Sequence, residues 1–406
     1  MARLGAISLF GPAPTRSGAS GAAFTLTSAP SADASLALPG VELEIRAGQR
    51  DVVVRFNGAT SAESALQQGH QLAQHGLDLL SVVGHMDAVI QEAENEHLIW
   101  WSEQDGVVVR LVSTTMLQLA IGPVSVEVRD MNGNAIPSIP VQPSHHIGFR
   151  YYRLAQTTED LYDAYRNMYL AFEAILSSQF PMSKGEREID WLHRALNSAR
   201  STIRLDDLVS PGTDVIKAVL QAVYQDARLP LFHAKEGRGF FPPQDSPTER
   251  QVVAKALAML TKIVLRMAEA WFSARRTGGG VFLGWVYKNA EQLLSTCSMI
   301  ATNYTGPFDA AERDLSHERF GSAVRFDTRL APELQRGREP AFLGTVAATK
   351  LVALGGVRRI EAATSDHPYL ARLLESPLVC DDAARLEVLM HVRATNLNQP
   401  KSLFRQ

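Results

Sequence analysis

Two side chains able to handle a phosphate stand close together in Arg228-Leu-Pro-Leu-Phe-His233. Arginine keeps its charge at any physiological pH and presents a planar fork of donors that matches phosphate oxygens. Histidine exchanges a proton near neutrality. A guanidinium and an imidazole five residues apart are the parts needed to cut an RNA phosphodiester without a metal. The arginine would hold the non-bridging oxygens as charge builds on them. The imidazole would act as base toward the 2′-hydroxyl or as acid toward the leaving 5′-oxygen. Lys235 is a further candidate phosphate contact, and Glu173 is a candidate to orient His233 or neutralise Arg228. The same residues also fit a plainer reading, a helix-end ion pair beside a half-buried histidine, because so short a motif recurs by chance.

Other candidates carry less chemistry. His70 and His75 are five apart on an expected helix, near Asp78 and His85. Metal ligands on one helical face favour spacings of three or four, so these read as surface histidines. His145-His146 has no acidic or thiol partner nearby in sequence. Gly278-Gly-Gly lacks the Gly-Lys-Ser/Thr that completes a phosphate loop. Trp100-Trp101 reads as core, and Arg275-Arg276 suits the negative end of a helix. Neither a metal site nor a cofactor site is expected.

The elements around the Arg–His pair are helical. Asp160 closes a capping sequence ahead of a helix on which Leu161, Tyr165, Met168, Phe172 and Ile175 recur at helical spacing. Lys184 to Ala199 carries Ile189, Leu192 and Leu196 on one face. Pro211, Thr213 and Asp214 open a third helix with Val215, Val219, Leu220 and Val223 inward, and Pro247 opens a fourth through Val253, Leu257, Leu260, Val264, Met267 and Trp271. Four amphipathic helices with modest connections predict a bundle. Before it, Val41–Arg46, Asp51–Phe56, His97–Trp101, Gly106–Val112 and Val124–Val128 read as strands, with a helix from Thr60 to Val83 and loops through Gly11–Ala34. After it, Val281–Tyr287 and Gly344–Leu354 fit either helix or strand, Pro307–Arg338 reads as irregular, and Leu386–Arg393 as a late strand.

At 406 residues the chain is too long for one ordinary core. The expected fold is α+β and multidomain: an N-terminal α+β domain over 1–147, a central four-helix bundle over 148–280, and a C-terminal mixed region over 281–406. With 46% hydrophobic and 20% charged residues the chain folds rather than staying disordered. A net charge of −3 excludes a global attraction to nucleic acid, so any phosphate contact is local. Cys297 and Cys380 support neither a disulfide framework nor a thiolate zinc site. The start lacks the apolar run of a secretory signal and no stretch is long enough to span a bilayer, so a cytoplasmic location is expected.

The bundle resembles the HEPN superfamily, and within it the ApeA-like and methylamine-utilisation MauJ-like group. The likeness rests on Asp160-Leu-Tyr-Asp-Ala-Tyr-Arg-Asn-Met-Tyr-Leu-Ala-Phe-Glu-Ala-Ile-Leu, on Tyr224-Gln-Asp-Ala-Arg-Leu-Pro-Leu-Phe-His-Ala-Lys, and on the apolar helix after Pro247. It spans about a third of the chain. The HEPN hallmark is an Arg followed four to six residues later by His, which falls here on Arg228 and His233. The resemblance implies a homodimer in which these groups from two chains meet and cut RNA without a metal, in a toxin or phage-defence role. A regulatory partner or ligand at the N-terminal domain would then gate the bundle. The alternative is a non-catalytic dimerisation or ligand-binding accessory protein. One departure favours that alternative: Leu229 and Pro230 stand where many active members carry a polar residue. A straight helix would also turn His233 by about 140° from the Arg228 face, and a break at Pro230 bears on whether the two converge.

Overall fold

The computed structural model describes residues 2–10, 19–84, 86–91, 93, 95–119, 131, 142–158, 160–232, 247–274, 283–306, 323–364 and 368–396. The contacts divide the chain into two units. One comprises residues 1–117 and 282–394, and the other residues 118–281 with the last stretch of the chain.

The first unit is built on two sheets. A six-stranded sheet runs β10 (Ala323–Arg325), β9 (Ser298–Thr302), β13 (Val357–Ala363), β14 (Pro368–Cys380), β1 (Ala2–Leu4) and β2 (Ile7–Phe10). A nine-stranded sheet runs β11 (Asp327–Leu330), β12 (Ala341–Ala347), β15 (Arg385–Asn396), β8 (Gly106–Leu119), β7 (Glu96–Glu103), β3 (Ser20–Thr25), β6 (Asp51–Phe56), β5 (Val41–Ile45) and β4 (Ala34–Leu38). Both sheets mix strands from the two ends of the chain. The terminal segments expected as separate domains therefore form one unit, a correction to the division at 147 and 280. Sequence patterning gives each strand's faces but not its neighbours, which is why the expectation failed.

The central strands of the nine-stranded sheet are buried on both faces. Val53, Leu98, Trp100, Val109 and Leu111 join the core shared with the six-stranded sheet. Val52, Val54, Ile99, Trp101 and Val108 lie under α1 (Ala62–Val82). Alternate residues thus enter different cores, which explains why these strands read as continuous apolar runs. Ser61 caps α1 with its hydroxyl accepting from Ser64 N–H. His70 on that helix is buried edge-on against Phe24 rather than at the surface, a correction. The strand β3 falls inside a stretch expected as loops. Its residues Ser-Gly-Ala-Ala-Phe-Thr are poor strand formers locally, but the Trp100 ring occupies the space a side chain at Gly21 would need. The described part of Val281–Tyr287, from Leu283, lies in a helix, α8 (Leu283–Leu294), and Gly344–Leu354 divides between β12 and a 3₁₀ segment at Ala348–Leu354. Two short strands, β10 and β11, lie in the stretch expected as irregular. The strand expected at Val124–Val128 lies outside the described residues.

The second unit is helical. It contains α2 (Gly148–Thr157), α3 (Leu161–Gln179), α4 (Glu188–Ala199), α5 (Val215–Val219), α6 (Leu229–Phe232) and α7 (Pro247–Phe272). Between α5 and α6 the chain continues without a break through a π-helical stretch, Leu220–Arg228. One core holds the unit together, drawing Tyr165, Met168 and Phe172 from α3, Leu192 and Leu196 from α4, and Leu257, Leu260 and Val264 from α7. The first of these helices, α2, was not expected from the sequence, and the third is a composite of α and π segments. The unit thus differs from a simple four-helix count.

Candidate functional site

Asp160 starts α3 by accepting from Asp163 N–H at 2.8 Å, and this fixes the phase of the helix. Tyr165, Tyr169 and Glu173 follow at intervals of four and so share one side. The Tyr165 hydroxyl donates to the carbonyl of Val223 in the π stretch, tying the two segments together. Burial pushes the Tyr165 phenol well above its ordinary range.

The π stretch decides where Arg228 points. Its i to i+5 pattern continues into Leu229, whose N–H donates to Tyr224 C=O. Pro230 has no N–H, and its ring clashes with the carbonyl four residues back in regular helix. A wider turn immediately before it relieves that clash and lets the helix pass through the proline to Phe232. The break anticipated at Pro230 therefore takes the form of a change in helical register.

Arg228 lies among three rings. Its guanidinium carbon is 5.7 Å from the Tyr169 ring centre, 5.2 Å from Tyr224 and 5.2 Å from Phe232, all within cation–π range. Its Nη2 pairs with Glu188 Oε2 at 2.9 Å, and both side chains are mostly buried, at 18% and 24% exposed. Its Nε is buried and has no acceptor among the described residues. Glu188 is the first residue of α4, where the positive end of the helix favours a carboxylate. It also accepts from the hydroxyls of Tyr169 at 3.0 Å and Tyr224 at 3.1 Å. Burial raises both phenols, and the Glu188 charge beside them adds to it, so they stay protonated donors.

Glu173 is half-buried nearby. Burial raises its carboxyl first, the Glu188 charge raises it further, and Arg228 opposes both. The carboxylate bonded to Arg228 is thus Glu188, while Glu173 acts on the arginine only through its field. His233 and Lys235 lie outside the described residues. A second guanidinium stands close by: Arg166 Nη2 donates to the Leu231 carbonyl at 3.5 Å while its Nη1 pairs with Asp163 at 3.1 Å.

Glu188, Tyr169, Tyr224 and Arg166 were not among the residues expected at the site. A usable signal existed for the first three. Tyrosines on a buried helical stripe need acceptors for their hydroxyls, and an acidic residue opening the next helix is a natural one. Among the other candidates, His146 Nδ1 accepts from Gly148 N–H at 3.0 Å, and its ring packs against Phe149 and Phe272. Burial first, then the neighbouring His145, lowers its affinity for a proton.

This geometry belongs to an α+β protein with a helical unit whose two tyrosines, one glutamate and one arginine form a closed polar cluster. Residues 149–269, the greater part of that unit but less than a third of the chain, match the family model described as Methylamine utilization protein MauJ. That MauJ-like segment includes Tyr169, Glu173, Glu188 and Arg228. No curated protein and no solved structure matches the chain. Among the described residues, no helix is long and apolar enough to cross a membrane.

Proposed function

We propose that the helical unit is a HEPN-type, metal-independent RNA endonuclease module working as a homodimer in the cytoplasm, in a toxin or phage-defence role. Arg228 holds the scissile phosphate and His233 moves the proton. The 2′-hydroxyl oxygen attacks phosphorus as its proton passes to a base, and the bond to the 5′-oxygen breaks as that oxygen is protonated. The products are a 2′,3′-cyclic phosphate and a 5′-hydroxyl. The observation that supports this best is Arg228 Nε, a buried cationic donor with no acceptor among the described residues, on a guanidinium that three rings and Glu188 hold in one orientation. An unspent donor on a preset cation suits an incoming phosphate oxygen.

The test is RNA cleavage in chelator by the wild-type chain, Arg228→Ala and His233→Ala. Cleavage by the wild type with loss of about 10²-fold or more in each variant is expected. Equal cleavage by all three, or none by any across conditions, ends the proposal.

A second reading, a non-catalytic dimerisation or ligand-binding module, draws on the Arg228–Glu188 pair. There the arginine already has its counter-charge within the same chain and needs no substrate. A dimer that forms normally, binds no RNA and cuts none would select it.

A further inference from the structure

The first unit contains a small cleft where its two sheets approach, lined by Asp51, Glu96, His97, Arg372, Glu375 and Ser376 over a floor that includes Leu98 and Leu374. The space inside it that the centres of water molecules can occupy is about 40 Å³, room for about three waters. A pocket of that size suits a molecule of a few heavy atoms. Glu375 stands at the rim with its side chain 56% exposed, so the cleft is reachable from solvent.

Among the described residues, the charges in and around this cleft are ion-paired, with Asp51 the exception. Arg50 pairs with Glu375 at 2.9 Å, and Arg372 pairs with Glu96. Asp51 has no cationic partner in hydrogen-bond contact. Its Oδ2 accepts from Ser376 Oγ at 2.6 Å and from Gln49 Nε2 at 3.0 Å, both neutral donors. Among the described residues nothing donates to its Oδ1. On the opposite side of the balance, Arg372 Nε is buried and has no acceptor among the described residues. Burial raises the Asp51 carboxyl, and Arg50 acts on it only through its field. A carboxyl bonded only to neutral donors and a guanidinium nitrogen without an acceptor, in one cleft, describe the complement of a ligand.

We infer that this cleft binds a small primary ammonium ion carrying an oxygen acceptor, the ammonium on Asp51 and the oxygen on Arg372 Nε. The ligand's single positive charge matches the one unmatched carboxylate. A zwitterion would leave that charge uncompensated, and an anion would add to it. The site is independent of the helical unit and of any activity there.

Calorimetric titration of the full chain with 2-aminoethanol hydrochloride at fixed ionic strength tests the inference, with ethylammonium, glycine and acetate as comparisons. Saturable binding is expected for 2-aminoethanol, weaker for ethylammonium, and absent for acetate. Asp51→Asn should weaken it about tenfold or more, as loss of a charge-assisted hydrogen bond implies. Leu374→Phe, which fills the floor, should abolish binding while the chain stays folded, and it decides the matter if Asp51→Asn fails to fold. Arg228→Ala should leave binding unchanged. Absence of saturable heat, unchanged affinity in the folded variants, or preference for acetate would overturn the inference.

Discussion

At the residue scale, the cluster around Arg228 shows how one cation is made rigid. Three rings, two phenol donors and one carboxylate surround it, and each contact constrains the next. Glu188 is the member whose removal is most informative. Glu188→Gln keeps the shape but strips the counter-charge and turns one of the two acceptor oxygens into a donor, so the two phenols and the guanidinium no longer all find an acceptor. A loss of about 1–3 kcal/mol in stability is expected, measured by denaturant unfolding. The same variant should bind RNA or inorganic anions more tightly, because Arg228 no longer has an internal competitor. If Glu188→Gln melts like wild type and binds anions no better, the ion pair carries neither stability nor control of the site.

At the element scale, two features depend on tertiary contact. The π stretch before Pro230 widens the helix where a regular turn would clash, and it delivers Arg228 toward Tyr169 and Glu188. The β3 strand exists because Gly21 lets Trp100 lie against it: a Cβ added there would sit 2.0 Å from the Trp100 ring and 2.5 Å from the Val54 carbonyl. Gly21→Ala should therefore destabilise the first unit by about 1–3 kcal/mol or more, read as a lowered unfolding midpoint. A neutral effect would mean that the sheet yields easily at this point.

At the scale of the whole molecule, the interleaving of the chain ends makes the first unit depend on both. A chain ending at residue 281 lacks β9 through β15 and so loses most of the six-stranded sheet and three strands of the other. It should be insoluble or rapidly degraded in limited proteolysis. A soluble, protease-resistant product of that length would contradict the shared-sheet architecture.

The same unit buries two histidines that set an acid limit. His97 is held down to about 3, mainly by burial and then by the charge of Arg336. His391 is also held to about 3, by burial, Arg336 and Arg393. Among the described residues, neither ring nitrogen of His391 has a partner. The folded state takes up these protons only near pH 3, whereas the unfolded chain takes them up near 6.5. Their contribution is complete above about pH 6.5 and declines as the pH falls toward 3, by about 1.4 kcal/mol per pH unit for each. Thermal melts between pH 7.5 and 4.5 should show this slope. His391→Leu should flatten it and leave the melting temperature at pH 7.5 equal or higher, since it removes two unsatisfied polar atoms. An unchanged slope in that variant would mean that His391 does not control acid stability.

Much of this protein was legible from its residues. The capping at Asp160, the stripe from Leu161 to Ile175, the continuous apolar strands and the helix-opening signals at Asp214 and Pro247 each follow from local periodicity, which a chain carries within a dozen residues. The α+β class was legible for the same reason. The pairing of strands from opposite ends, the burial of His70, the strand at Ser20–Thr25 and the choice of Glu188 as the partner of Arg228 were not. Each depends on which distant groups meet, as when a tryptophan fills the space over a glycine or a buried hydroxyl finds a carboxylate. Spacing along the chain states what a residue can do, and only the packed structure decides what it touches.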